Sequence, residues 1–293
     1  MFYTNPQYLA ETDWLAKHLE DSGIRIIDLR PEAEYLEGHI PGAVFFDIAR
    51  PSGGLSDANA TFPFTWPKEE QFEAVMSQVG VRNDSRVVLY ASTPTKGMDG
   101  IMWCTRAWWV MHHFGVQCAV LNGGWEKWVA EGRTVSTSPG SYPATAFIAD
   151  PHWRQGLANK EDVLAALQEP GSACVVDSLS IESYSGMEQF SYGAGRKGHI
   201  TGAVNVPAYS LVDQDTGLFA SANDMRVHFE KAGALSVDKV ITYCGAGIAA
   251  TVDAFALALL GHANVAVYDN SLFEWAADQS LPMTAQSSAR GKP

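Results

Sequence analysis

The chain of 293 residues contains only four cysteines, and it has no apolar run long enough to form a transmembrane helix. Four cysteines are too few for a disulfide scaffold in a chain of this length, and their spacing matches no metal site. Free thiols in a reducing compartment are therefore predicted. The N-terminal residues lack the apolar core of a secretory signal, which favours a cytoplasmic location. Neither a metal nor a cofactor is expected.

Basic residues are also scarce, because 20 Lys and Arg against 33 Asp and Glu give a formal net charge of −13. Nucleic-acid binding needs a surplus of basic residues on one face, so this class of partner is not expected. The same deficit means that an anionic substrate must be attracted by a local positive potential, since the overall field of the protein repels it.

Four blocks of sequence occur twice in the same order, which indicates a duplicated domain. The paired blocks are Ile26–Asp28 with Val175–Asp177, Gly38–Val44 with Gly198–Val204, Arg86–Ala91 with Lys239–Cys244, and Phe114–Trp128 with Leu260–Trp275. The length of the chain also suits two ordinary domains. We predict a first domain over residues 1–137, a second domain over residues 155–285, and a polar tail over residues 286–293.

The segment between the two copies, residues 138–154, is predicted to be a linker. Its first residues belong to a stretch rich in Ser, Pro and Gly, Ser136–Pro143. Such a composition is typical of a connecting segment, and we expect it to pack against nothing.

Each copy alternates short β-branched runs with longer amphipathic stretches. The runs predicted to be buried strands are Ile26–Asp28, Val87–Tyr90, Ala119–Leu121, Val175–Asp177, Val240–Tyr243 and Val265–Tyr268. The stretches with helical spacing are Gln71–Val79, Met102–His113, Ala222–Ala232 and Ala249–Leu260. This alternation predicts an α/β fold in which each domain has a mostly parallel sheet with helices on both faces. Ligands of open α/β sheets bind beyond the carboxyl ends of the strands, here after Tyr90 and Tyr243.

The second copy places Cys244 directly after a predicted strand, followed by a loop with two glycines and then a helix. Glycines let such a loop curl until successive N–H groups converge on one point, and the helix adds its positive dipole end. Both effects favour the thiolate, which is the nucleophilic form of cysteine. The sequence therefore predicts a reactive Cys244 with a depressed thiol pKa. The alternative is a small buried hydrophobic residue beside a tight turn.

The equivalent loop of the first copy is longer and has Ala91 where the cysteine would stand. The first domain is therefore predicted to be non-catalytic and to form a wall of the cleft. The other cysteines, Cys104, Cys118 and Cys174, fall in helix or strand patterns and are predicted to lie in the core.

Several polar residues are given structural interpretations. His39 and His199 stand at equivalent positions of both copies, one of them inert, so we expect them to hydrogen-bond nearby loops. Arg106 has helical spacing in the first copy and is predicted to be an ion-pair or capping partner. His112 and His113 are adjacent on a predicted helix, where they diverge by about 100°, which disfavours joint metal binding.

These residues resemble the tandem-domain rhodanese and mercaptopyruvate sulfurtransferase family, from about Thr12 to Met283. The motifs that carry the resemblance are Asp28–Arg30, Gly38–Val44, Arg106–Trp109, Asn122–Trp125, Gly198–Pro207 and Cys244–Ala250. The resemblance implies two rhodanese domains, the first inert. It also implies a ping-pong reaction that moves sulfane sulfur from thiosulfate or 3-mercaptopyruvate, through a cysteine persulfide, to cyanide or a thiol. It identifies Cys244 as the nucleophile and assigns substrate binding by backbone donors to Gly245, Ala246, Gly247, Ile248 and Ala249.

The resemblance also implies that the partners are a small-molecule sulfur donor and a thiol or cyanide acceptor. We expect no contact with membranes, and a monomer or weak dimer. Mercaptopyruvate-specific relatives have small residues after the cysteine, whereas thiosulfate-specific ones have basic residues. The loop here resembles the first type, but Ala246 replaces the serine of that type.

Other donor-binding residues of the family are replaced in this chain. Ser183 and Leu179 stand where the family has arginines, and Ala49 and Phe64 align with an Asp and a His of mercaptopyruvate enzymes. Other basic residues of the chain could supply the positive charge that binds the donor. Arg196 is the candidate for donor binding, Lys197 is its alternative, and Lys96 of the first-domain loop is a weaker one.

Two other functions compete with sulfur transfer. A phosphatase with a cysteine loop needs an arginine six positions after the cysteine for bidentate phosphate binding, and that position is Ala250. A non-catalytic persulfide carrier or binding protein would explain why the usual arginines are absent at Ser183 and Leu179.

Overall fold

The structure, a computed structural model, describes residues 2–50, 54–92, 99–190 and 195–285. The first copy begins with a short 3-10 helix, Pro6–Tyr8. Its strands are β1 (Leu9–Ala10), β2 (Ile24–Asp28), β3 (Val44–Phe45), β4 (Arg86–Tyr90) and β5 (Gln117–Leu121). Its helices are α1 (Thr12–Lys17), α2 (Glu32–Glu37), α3 (Glu69–Gln78), α4 (Asp99–His113) and α5 (Gly124–Ala130).

The second copy repeats this order with one additional small sheet. Its strands are β6 (Leu157–Ala158), β7 (Cys174–Asp177), β8 (His199–Ile200), β9 (Val204–Asn205), β10 (Val240–Tyr243), β11 (Val265–Tyr268) and β12 (Met283–Thr284). Its helices are α6 (Lys160–Gln168), α7 (Ile181–Ser185), α8 (Ala222–Lys231), α9 (Ala250–Leu259) and α10 (Ser271–Trp275). Short 3-10 helices span Trp153–Gly156, Ala208–Leu211 and Ala234–Ser236.

Each copy contains a five-stranded parallel sheet with the same strand order. The first sheet runs β1-β5-β4-β2-β3 and the second runs β6-β11-β10-β7-β9. The central strands β4 and β10 have a neighbouring strand on each side, and their side chains are mostly buried on both faces of the sheet. Their β-branched residues suit that position. Among the strands of the described residues, β8 and β12 form the antiparallel pair, and isolated antiparallel bridges join His39 to Ser136 and Val212 to Phe219. The predicted α/β architecture of two tandem domains is confirmed.

The two copies meet along their longest apolar helices, α4 and α9. Trp108 and Phe255 contact each other edge to face across this interface, with ring centroids 4.8 Å apart. The hydroxyls of Thr105 and Thr251 lie 2.9 Å apart, and both residues are buried. This packing places the loop that precedes α9 next to the first domain, so the loop after β10 faces residues from both halves of the chain.

The segment after the first domain is packed rather than free, so that expectation is wrong. Phe147 and Ala149 are buried in the same core as α3 and α4. The Thr145 N–H donates to the Ser77 carbonyl, and the Tyr142 hydroxyl donates to the Gly42 carbonyl. Apolar residues scattered among Ser, Pro and Gly are enough to hold this extended segment against the first domain.

The two equivalent histidines bind main-chain carbonyls, as expected. His39 lies within 2.8 Å of the Tyr35 carbonyl and 2.9 Å of the Ser138 carbonyl. His199 lies 2.7 Å from the Tyr184 carbonyl. Among the residues that the structure describes, no three His, Cys, Asp or Glu side chains form a metal-binding group. No helix of that part of the chain is long and apolar enough to span a bilayer.

Candidate active site

Cys244 follows β10 at the carboxyl edge of the second sheet. The Cys244 N–H donates to Ser271 Oγ at 3.1 Å, and its carbonyl accepts from the Leu272 N–H at 3.1 Å. The next carbonyl, of Gly245, accepts from the Phe273 N–H at 3.0 Å. The cysteine loop therefore rests on the turn that joins β11 to α10, which fixes its backbone on the side away from the sulfur.

Three backbone amides of the loop stabilise the thiolate form of Cys244. They belong to Ala246, Ile248 and Ala250, and each lowers the pKa of the thiol. Gly247 makes the curl possible, because its φ of +71° lies in the left-handed region that other residues rarely adopt. A nest of amides around the sulfur, predicted from the glycine spacing, is thus present.

The predicted depression of the Cys244 pKa is wrong for the resting thiol. Its side chain is only 2% exposed. Burial is the largest influence and raises the pKa of the thiol above its ordinary value, while the three amides oppose that rise. The negative charge of Asp177 adds to the increase. The sequence showed the donors but not the depth at which the fold places the sulfur, and that depth decides the sign.

The Gly247→Ala substitution is expected to disrupt the loop. A Cβ at this position would lie 2.3 Å from the Asp269 carbonyl oxygen, and the backbone is in the left-handed region. We expect at least about a tenfold loss in the rate of Cys244 alkylation, since the amides of the loop must turn to relieve the clash. Gly171→Ala, also at positive φ but with open space around it, is the matched control and should alkylate at the wild-type rate. Equal rates in all three proteins would contradict this expectation.

Apolar side chains from both domains surround the loop. Phe64 of the first domain is buried together with Ala246 and Ile248, and Trp103 and Phe273 pack against this cluster. The rings of Phe64 and Trp103 lie 5.5 Å apart. The first domain therefore supplies one wall of the site, as predicted.

Arg196 does not point to the cysteine loop. Its guanidinium donates to the carbonyls of Leu281 at 2.7 Å, Asp278 at 2.6 Å and Trp275 at 3.1 Å, and more distantly to that of Ala276. All three nitrogens therefore bind main-chain oxygens at the end of the second domain. We leave Arg196 out of the site that we propose. Its alternative Lys197 is exposed, and Lys96 lies outside the described residues.

The positions that carry arginines in the family are uncharged and locally engaged. The Ser183 N–H donates to the Ser180 side chain at the start of α7. Leu179 packs against the second-domain core, and its N–H donates to Asp177 at 2.8 Å. Neither position brings a positive charge to the sulfur.

Arg106 is a functional candidate whose contact with the cysteine loop could not be predicted from the sequence. The predicted ion pair exists, because its guanidinium lies 2.6 Å from a carboxylate oxygen of Asp269. The pair crosses the domain interface and is buried on both sides. The same guanidinium donates to the Gly247 carbonyl at 3.1 Å and to the Phe64 carbonyl. Its position on a predicted helix gave no sign that it contacts the cysteine loop.

Two buried carboxyl groups lie behind the site. Burial raises the pKa of Asp177 to about 7, against the effects of Tyr243 and the Leu179 N–H. Burial also raises the pKa of Asp253 well above its ordinary value, with Ser178 opposing and Asp177 reinforcing the rise. Within the described structure, both oxygens of Asp253 lack a well-formed hydrogen bond. Burial thus favours the neutral form of Asp253 over its carboxylate.

The first domain has a cleft at the equivalent edge of its own sheet, where Ala91 stands in place of the cysteine. A cavity of about 690 Å³ is lined by Arg30, Trp103 and Ala91 among others. Ala91 occupies the place of the cysteine, and its carbonyl accepts from the Trp125 N–H just as that of Cys244 accepts from Leu272. Arg30 is held by Asp28 at 2.7 Å. This cleft thus belongs to the half that has Ala91 in place of the cysteine.

Comparison with known proteins agrees with this architecture. The family model described as Rhodanese-like domain matches residues 11–131 and 159–278. The chain is similar to 3-mercaptopyruvate sulfurtransferase of Escherichia coli strain K12, with 33% identity over 285 residues, covering 92% of this chain and 95% of the relative. It is 32% identical over 298 residues to thiosulfate sulfurtransferase of Bos taurus, covering 97% and 96%.

Two further similarities extend over most of the chain. Sulfur carrier protein TtuD of Thermus thermophilus is 32% identical over 293 residues, covering 97% of this chain and 98% of the relative. The crystal structure of SseA from Escherichia coli, a 3-mercaptopyruvate sulfotransferase with the rhodanese fold, superposes with a TM-score of 0.76 at 31% identity and covers 90% of this chain and 98% of that one. The chain therefore belongs to the rhodanese-like family. The prediction of a rhodanese-type sulfurtransferase is confirmed.

Proposed function

We propose that this sulfurtransferase moves sulfane sulfur from thiosulfate or 3-mercaptopyruvate to cyanide or a thiol through a persulfide on Cys244. The observation that carries the proposal is the convergence of three amides on the Cys244 sulfur at the edge of the second sheet. The names of the relatives from Escherichia coli and Bos taurus support the two donors. A reducing location such as the cytoplasm is part of the proposal, since all four cysteines are free.

The proposed reaction has two balanced steps. The Cys244 thiolate attacks the outer sulfur of thiosulfate, so that a new S–S bond forms as the old one breaks and sulfite leaves. With 3-mercaptopyruvate it attacks the thiol sulfur, so that the C–S bond breaks and pyruvate leaves as its enolate, which takes up a proton. The acceptor then attacks the outer sulfur of the persulfide, and the electron pair of the S–S bond returns to Cys244 as thiolate. No external oxidant or reductant is needed. Sulfur from thiosulfate is passed on at the sulfane level, and with 3-mercaptopyruvate the oxidation of the sulfur is balanced by reduction of the carbon that becomes the methyl group of pyruvate.

The resting thiol must lose its proton before the first step. Because burial raises the pKa of Cys244, the reactive thiolate is a minor form at neutral pH. The amides of Ala246, Ile248 and Ala250 stabilise the anion once it forms, and they can stabilise the persulfide anion in the same way. Loop donors, rather than a basic side chain, are thus the proposed source of positive potential.

Steady-state kinetics with each donor and cyanide test the proposal. We expect thiocyanate from at least one of the two donors, with parallel lines in double-reciprocal plots, because a persulfide enzyme works by a ping-pong mechanism. Intersecting lines would contradict the covalent intermediate. Hydrolysis of p-nitrophenyl phosphate serves as the control for the phosphatase alternative and is expected to be absent.

A sulfur carrier is the second candidate function. The similarity to Sulfur carrier protein TtuD favours it, and so does the lack of an arginine at Leu179 and Ser183. If neither donor supports turnover but Cys244 still gains one sulfur atom, the carrier function replaces the enzymatic one.

A further inference from the structure

We propose that Arg106 of the non-catalytic domain is a positioning residue that aims an amide of the cysteine loop at the Cys244 sulfur. The inference rests on the proposed function only in treating Cys244 as the reactive thiol. In this proposal Arg106 acts on the sulfur indirectly, through the Gly247 carbonyl, which accepts from its guanidinium at 3.1 Å.

The planarity of the peptide bond converts this contact into an orientation of the loop. In a trans peptide the C=O of one residue and the N–H of the next point in opposite directions. The carbonyl of Gly247 and the N–H of Ile248 belong to one such plane, and the loop contains no cis peptide. Because Arg106 holds the carbonyl, the N–H of Ile248 is directed to the other side, toward the sulfur, where it lowers the pKa of the thiol.

The guanidinium is itself fixed, so it can act as a rigid support. One nitrogen binds Asp269 at 2.6 Å and the Gly247 carbonyl, and the other binds the Phe64 carbonyl. The second carboxylate oxygen of Asp269 accepts from the Trp66 N–H at 2.8 Å. A planar fork with several donors suits three fixed acceptors, whereas a lysine ammonium provides only one compact charge.

The duplication provides an internal comparison, since this contact exists on one side only. Thr105 and Thr251 are equivalent residues that meet across the interface. The next residues along the two helices, Arg106 and Val252, are therefore equivalent as well. The counterpart of Asp269 is Asn122, which accepts from the Phe219 N–H at 3.1 Å, as Asp269 accepts from Trp66.

The side chains of Asp269 and Asn122 thus both accept a backbone N–H across the interface. Only Asp269 also forms an ion pair there, with Arg106. Arg106 and Asp269 face the loop of Cys244, while Val252 and Asn122 belong to the side of Ala91. An arginine needed only to join the domains would have no reason to bind a carbonyl of the cysteine loop. The ion pair is thus present on the side that has the cysteine and absent at the equivalent positions on the side that has alanine.

The test is the pH dependence of Cys244 alkylation by iodoacetamide in the wild type, Arg106→Gln and Arg106→Lys. Modification is quantified by peptide mass, so that the other cysteines do not contribute. We expect both variants to shift the profile to higher pH and to lose about tenfold in rate at pH 8, because one hydrogen bond to the thiolate is lost or misaligned. Profiles that superimpose on the wild type would overturn the proposal.

Two matched variants separate positioning from general damage. Thr105→Val removes the neighbouring hydrogen bond across the interface, and Arg25→Lys alters a buried arginine that binds the carbonyls of Gly80, Ser22 and Ile24 far from the site. Both should keep the wild-type alkylation profile. A shift in either control as large as that of Arg106→Lys would count against a specific role.

If Arg106→Gln does not fold, Asp269→Asn decides the matter. Asparagine keeps the acceptor for the Trp66 N–H but removes the charge that holds the guanidinium. A shift in the same direction supports the proposal, and an unchanged profile overturns it. Alkylation needs no sulfur donor, so these results stand whether or not the protein turns over thiosulfate or 3-mercaptopyruvate.

Discussion

Cys244→Ser is expected to abolish the gain of one sulfur atom on treatment with donor and to reduce turnover by more than about 10³-fold. A serine hydroxyl in the same nest of amides ionises far less readily than a thiol and cannot form a persulfide. Intact mass after addition of each donor, followed by steady-state thiocyanate formation, measures both effects. The fold should be retained, because Ser differs from Cys by a single atom in a loop held by its backbone.

Cys174→Ser is the matched control for that experiment. Cys174 is the least buried of the four cysteines, and it lies at the start of β7, at the opposite end of the strand from the site. Its replacement should leave both the sulfur gain and the turnover unchanged. A sulfur gain that persists in Cys244→Ser and disappears in Cys174→Ser would show that Cys174 carries the persulfide, and it would refute the proposed site.

Asp177→Asn is expected to raise the free energy of unfolding at pH 8 by up to about 4 kcal/mol. The folded pKa of Asp177 is about 7, against 3.8 for an ordinary aspartate. Below pH 4 the folded and unfolded chains both carry the proton. Between about pH 4 and pH 7 the unfolded chain ionises while the folded chain keeps its proton, so stability falls as the pH rises and levels off above pH 7.

Urea unfolding at pH 4 and pH 8 measures this difference. Asparagine cannot ionise, so the variant should lose the part of the slope that Asp177 contributes, while the part from Asp253 remains. The two proteins should differ little at pH 4. A gap between them that is the same at both pH values would show that Asp177 is not the titrating group. The variant should also lower the pKa of Cys244, since the Asp177 charge raises it.

The first domain offers a matched substitution with the opposite expectation. Asp28 occupies the position equivalent to Asp177 but binds the buried Arg30 at 2.7 Å. Asp28→Asn leaves that guanidinium without its counter-ion, so we expect a loss of about 3–5 kcal/mol. The contrast arises because Leu179 stands in the second domain where Arg30 stands in the first.

The fold could be predicted because duplicated blocks and buried β-branched runs are local patterns. The central strands β4 and β10 and the helices α4 and α9 lie where the sequence predicts them, with no end more than three residues away. The short edge strands β1, β3, β6 and β9 have two residues each and carry no periodic signal. They form only because a neighbouring strand offers its edge.

The site was predicted only as far as its own loop. Glycine spacing reveals that Gly247 can curl the chain around Cys244, but it does not reveal how deeply the sulfur is buried. The partners of a long side chain are equally hidden, since nothing near Arg196 in sequence indicates that carbonyls eighty residues later bind it. Arg106 shows the same difficulty, because its acceptors come from three separate parts of the chain.

The meeting of Thr105 with Thr251 has a wider meaning for the molecule. Equivalent residues touch one another only at a self-complementary interface, such as that of a homodimer with two-fold symmetry. The chain is therefore built like such a dimer fused into one polypeptide. Fusion keeps the two halves together at any dilution. One half can therefore lack the cysteine and still supply contacts to the site of the other half permanently.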